Sequence, residues 1–142
     1  YYLARTTHGS TLSRIVHAQL AAIVKDDALT WRLFQEALSS DYHDIQGGTT
    51  AEGIHAGVMA ATLWIPLSTF AGLDLRQGTV TFRPRIPKHW EMLRFNFTWR
   101  KIDFHVCLTS NCLEITSSHD CEIALFEQTV FLQKQLTKIV NY

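Results

Sequence analysis

The hydrophobic period of this chain changes once, close to Gly72, and that change limits the folds open to it. Before it, apolar residues recur at helical spacing. Leu12, Ile15, Val16, Leu20 and Ile23 mark a first helix, which Ser10 or Thr11 is placed to cap and the Lys25-Asp26-Asp27 step interrupts. Trp31, Phe34 and Leu38 mark a second, from about Asp27 to Leu38. A third is expected from Thr49 or Thr50, where Thr49-x-x-Glu52 matches a capping box, to about Gly72, with Pro66 kinking it or splitting off its last turn. After Gly72 the period becomes 2. Leu93, Phe95, Phe97 and Trp99 alternate with Arg94, Asn96, Thr98 and Arg100, and Ile102, Phe104, Val106 and Leu108 repeat the pattern. Shorter runs at Val80 to Phe82, Leu113 to Ile115, Ile123 to Phe126 and Val130 to Leu132 are separated by turn-forming residues. The expected architecture is α+β: helices, then a small antiparallel β-sandwich of five or six strands. The boundary falls near Leu73 to Gly78, giving a helical segment over 1–75 and a sheet domain over 76–142.

An apolar content of 46% in 142 residues is enough to build the core of one ordinary domain or two small ones. Thirteen basic residues balance thirteen acidic ones, which excludes the electrostatic footprint of a nucleic-acid binder and points to small molecules or protein as partners. Cys107, Cys112 and Cys121 are an odd set without a CxxC pair, suited neither to a zinc cage nor to a closed disulfide framework. Reduced, half-buried thiols in a cytoplasmic protein are expected. The one long apolar stretch, from Ile54 to Leu73, carries glycine, serine, threonine and proline, and fits a buried helix better than a membrane span.

Two polar clusters stand at the mouths of the first and third helices: Thr7-His8-Gly9-Ser10-Thr11, and Gln46 to His55, which reads QGGTTAEGIH. Unpaired N–H groups and the positive end of the helix dipole favour an anion at such a place, phosphate above all. Each residue also has a plainer use. Ser10 and Thr49 serve as ordinary caps, His8 and His55 as structural histidines, and Glu52 as the reaching acid of the capping box rather than a catalytic base. Asp41, His43 and Asp44 have the chemistry of metal ligands, but a polar loop between helices accounts for them. Neither cluster matches a Walker loop or a GxGxxG turn.

The segments RTTHGSTLSRIVHA, DYHDIQGGTTAEGIHAGVMAAT and LRFNFTWR, in that order, resemble the C-terminal portion of glycoside hydrolase family 65, which includes maltose, trehalose and kojibiose phosphorylases and related glucosidases. Relatives read RTSHGS where this chain has RTTHGS, so a hydroxyl is kept at Thr7. The resemblance implies the last helices of an (α/α)6 barrel followed by a small β-sandwich, and a chain that is a fragment of a longer polypeptide. The start on Tyr1-Tyr2-Leu3, without methionine or a signal pattern, agrees. It further implies that His8, Ser10, Thr11, Gly48, Thr49 and His55 contact phosphate. The reaction implied is inverting phosphorolysis of an α-linked disaccharide, with phosphate as co-substrate and no cofactor or metal. The family's general acid is a glutamate with no counterpart here, so the chain alone is expected to be inactive. Two alternatives stay open: a family hydrolase whose pocket holds water, and a noncatalytic structural or association module. Helices separated from the rest of a barrel would leave apolar residues uncovered, among them Trp31, Phe34, Val58 and Trp64, and promote self-association.

Overall fold

The computed structural model describes Arg5 and residues 12–43 and 53–142, and the chain divides into two compact units, Tyr1–Pro66 and Leu67–Tyr142. In the first unit, α1 (Leu12–Ile23) and α2 (Asp27–Leu38) pack on each other and α3 (Ala56–Ile65) packs on both. The link between α1 and α2 is tight. Lys25 takes a left-handed conformation (φ 63°), and the N–H groups of Lys25 and Asp26 return to the carbonyls of Ala22 and Ala21. Asp26 then caps α2, its Oδ1 accepting from the Leu29 N–H at 3.0 Å. Ile15, Ala18 and Ala21 of α1 are buried, as are Leu33, Phe34 and Ala37 of α2 and Val58 and Ile65 of α3. Three buried alanines allow close approach of the helices. An ion pair between Arg14 and Glu36 links α1 to α2 at the margin of this packing.

The start of α3 differs from expectation. Gly53 has φ 95°, a left-handed conformation that no helix can run through, so α3 opens at Ala56 with His55 as its N-cap. The expected capping box, Thr49 and Glu52, lies outside the described residues. At its other end α3 gives way to one wide π-helical turn, Pro66–Phe70. Pro66 has no N–H to return to the preceding turn, which is why the regular ladder stops there.

The uncovered apolar face also differs in part. Phe34 and Val58 are buried, because the three helices cover them mutually, whereas Trp64 is half exposed. The most exposed apolar face of α1 carries Leu12, Val16, Leu20 and Ile23, spaced so that they form one stripe along the helix. No helix among the described residues is long and apolar enough to cross a membrane.

The second unit holds two sheets. One has the order β1-β5-β6, from Val80–Phe82, Cys121–Leu125 and Gln128–Leu132; the other has the order β2-β3-β4-β7, from Leu93–Trp99, Ile102–Leu108, Cys112–Ser117 and Lys138–Asn141. The second sheet is antiparallel throughout, as expected. The first is mixed, since β1 pairs parallel with β5. That pairing is a correction to the all-antiparallel sheet expected. It follows from the path of the chain, which makes three strands of the other sheet between β1 and β5, a connection long enough for a parallel crossover. Phe82, Ile123 and Leu132 from one sheet and Phe104, Val106 and Ile115 from the other belong to a single core, with Phe97 and Phe104 stacked at 4.8 Å between ring centres. β7 is the strand beyond the six expected.

Candidate functional site

Of the six residues expected to contact phosphate, His55 is described; His8, Ser10, Thr11, Gly48 and Thr49 lie outside the described residues. His55 stands at the mouth of α3. Its backbone carbonyl accepts from the N–H groups of Val58 and Met59, at 2.9 and 3.1 Å, while its side chain makes no capping bond. The imidazole is committed elsewhere, to Asp41.

Asp41 belongs to the turn that ends α2. Ser39 is the C-cap, and its carbonyl accepts from the N–H groups of Tyr42 and His43 at 3.0 and 2.8 Å. Ser40, wholly buried, donates its hydroxyl to the Ala37 carbonyl at 2.8 Å. These bonds hold the turn close to the end of the helix. From it the Asp41 carboxylate makes two contacts with one residue: Oδ2 accepts the backbone N–H of His55 at 2.9 Å, and Oδ1 lies 2.6 Å from its Nδ1. The side chains of His55 and Asp41 are 24% and 15% exposed, so both are sheltered yet reachable. At that distance from a carboxylate oxygen, Nδ1 is placed to donate to Asp41.

In the sequence, Asp41 reads as part of a polar loop. Its partner lies 14 positions away, outside the reach of helical or strand periodicity, and no composition signal marks the pair. Asp41 lies past the end of α2, in the turn that follows it, and Asp44 lies outside the described residues. His17, on α1, has its Nδ1 2.7 Å from the Ser13 carbonyl of its own helix.

Elsewhere the polar chemistry is sparser. A groove of about 440 Å³ lies along β6 and β7, its walls including Val130, Phe131, Leu136 and Ile139, with Lys138 as the one ionisable side chain among its lining. All three cysteines are free and partly buried, and burial pushes the Cys121 thiol up, away from the thiolate a nucleophile needs.

Two family models match the chain: the glycosyl hydrolase family 65 central catalytic domain over residues 1–64, and the C-terminal domain of the same family over residues 73–132. The chain is 42% identical to a trehalose 6-phosphate phosphorylase of Lactococcus lactis, over 94% of this chain and 17% of that protein. It is 38% identical to an uncharacterised glycosyl hydrolase of Mycobacterium tuberculosis, over 86% of this chain and 9% of that protein. A solved protein from the human microbiome, provisionally assigned as a kojibiose phosphorylase, superposes on the whole chain with a TM-score of 0.84 at 24% identity; the match covers 21% of it. This chain therefore spans less than a quarter of the length of each.

Proposed function

Because this chain belongs to glycosyl hydrolase family 65, we propose that it is the C-terminal part of an inverting disaccharide phosphorylase and supplies the phosphate side of its active site. One observation carries this beyond the family. His55, sheltered and tethered by Asp41, stands at the N-terminus of α3, where a helix dipole favours an anion, in a chain 42% identical to a phosphorylase. His8, Ser10, Thr11, Gly48 and Thr49 are proposed to complete the phosphate contacts.

In the proposed reaction a phosphate oxygen attacks the anomeric carbon of an α-linked glucosyl unit. The glycosidic C–O bond breaks with inversion, and the departing oxygen takes a proton from a carboxylic acid upstream of this chain. The products are a β-glucosyl phosphate and the released sugar. Phosphate brings its own nucleophilic oxygen, so this chain's residues have to position and partly neutralise it rather than activate water. Inorganic phosphate is the co-substrate and no cofactor is required. Trehalose 6-phosphate, named for the Lactococcus relative, is the first disaccharide to test. The exposed α1 stripe is proposed to make the isolated chain self-associate.

A second reading is favoured by the Mycobacterium relative: a hydrolase in which water replaces phosphate. In the full-length protein, His55→Ala separates the two. Loss of the charge-assisted bond to phosphate should raise the KM for phosphate about tenfold to a hundredfold, with the KM for disaccharide nearly unchanged. A rate independent of phosphate in the wild type would favour the hydrolase.

A further inference from the structure

We propose that Asp41 is a positioning residue for phosphate, acting through His55: its two oxygens fix the ring's orientation and keep its Nδ1 protonated. This rests on the phosphorylase reading above and adds to it a residue that never touches the substrate. The geometry separates this role from a simple helix cap. A cap ordinarily serves the N–H groups of the first helical turn, and one oxygen suffices. Here Oδ2 takes the N–H of the capping residue itself, the bond that a capping-box acid makes from within its own helix, and Oδ1 is left to hold the ring at 2.6 Å. Two bonds from one rigid carboxylate fix both the backbone and the side chain of His55. Asp41 itself sits in the turn after α2, next to Ser40, which is buried and bonded to the Ala37 carbonyl.

The charge logic runs the same way. A bare carboxylate beside a phosphate would repel it. A carboxylate that reaches the phosphate only through an imidazole instead favours the positively charged ring, which attracts the anion. Histidines that bind metals are oriented by carboxylates in the same manner, and losing such a partner costs about tenfold to a hundredfold in affinity. Asp41→Asn keeps the size of the side chain and an acceptor for the His55 N–H, but removes the charge.

The test uses the full-length protein with inorganic phosphate and trehalose 6-phosphate. Asp41→Asn should raise the KM for phosphate about tenfold or more while the KM for the disaccharide stays within about twofold. In Asp41→Asn/His55→Ala the second change should add little to the effect of His55→Ala alone, because one residue acts through the other. If His55→Ala raises the KM for phosphate and Asp41→Asn does not, Asp41 is only a cap and the inference fails while the phosphorylase reading stands. Equal losses for phosphate and disaccharide would also overturn it. If neither variant changes phosphate use, the phosphate assignment of His55 falls. Should Asp41→Asn not fold, the wild-type protein decides by ¹⁵N NMR of His55. A protonated Nδ1 supports the inference, and a bare Nδ1 overturns it.

Discussion

Gly72 shows how much one residue can require. Its φ of 61° lies in the left-handed region, and a Cβ placed on it would come within 2.1 Å of the Arg83 carbonyl oxygen, a backbone atom with nowhere to move. The same two residues are joined by an N–H···O bond of 3.1 Å, so the chain passes itself here at contact distance. Gly72→Ala should therefore destabilise the sheet unit by about 3 kcal/mol or more, read as a shift of the urea midpoint in strand circular dichroism. Tyr142 offers a test by pH. Burial first, and Cys112 second, push its phenol up to about 12, and its hydroxyl donates to the Thr109 carbonyl at 2.8 Å. A folded-state pKa above the unfolded value adds stability that is complete below about pH 10 and lost as pH rises towards 12. Thermal melts across that window should fall more steeply for the wild type than for Tyr142→Phe. Gly72 was legible in the sequence as a helix-ending glycine. The Asp41–His55 pair was not, because it depends on two turns meeting in space rather than on spacing along the chain.

At the level of elements, α1, α2 and six strands were legible because each carries its period plainly. β7 was missed for a physical reason. Its four residues contain one partly buried apolar side chain, Val140, while Ile139 is 62% exposed, and the pairing with β4 rather than any pattern in the strand itself makes it a strand. The parallel partnership of β1 and β5 is similarly a property of the chain's path. The β2–β3 turn departs from common practice: Arg100 and Lys101 both have positive φ, 49° and 65°, where Asn-Gly is usual. Arg100 is retained by its guanidinium lying 4.3 Å from the centre of the Trp99 ring. Lys101 has no such hold, and Lys101→Gly should stabilise the sheet by about 0.5–1 kcal/mol, seen as a higher urea midpoint. In the helical unit, Asp26→Ala removes the bond to the Leu29 N–H and should cost about 1 kcal/mol, seen as a lower helical melting temperature.

For the molecule as a whole, the apolar stripe of α1 is the feature a 142-residue chain is least able to hide. Leu12, Val16 and Leu20 are each about half exposed and Ile23 is three-quarters exposed. Sedimentation of the isolated chain should give a mass above 16.2 kDa, and Val16→Lys with Leu20→Lys should return it to that value. The central claim concerns the longer protein, and one measurement addresses it most directly. The full-length protein is given trehalose 6-phosphate and other α-linked glucosyl disaccharides, with and without inorganic phosphate, and the products are followed by ³¹P and ¹H NMR. The expected result is consumption of a disaccharide only when phosphate is present, with one β-glucosyl phosphate formed for each sugar released. Free glucose formed at the same rate without phosphate would contradict it.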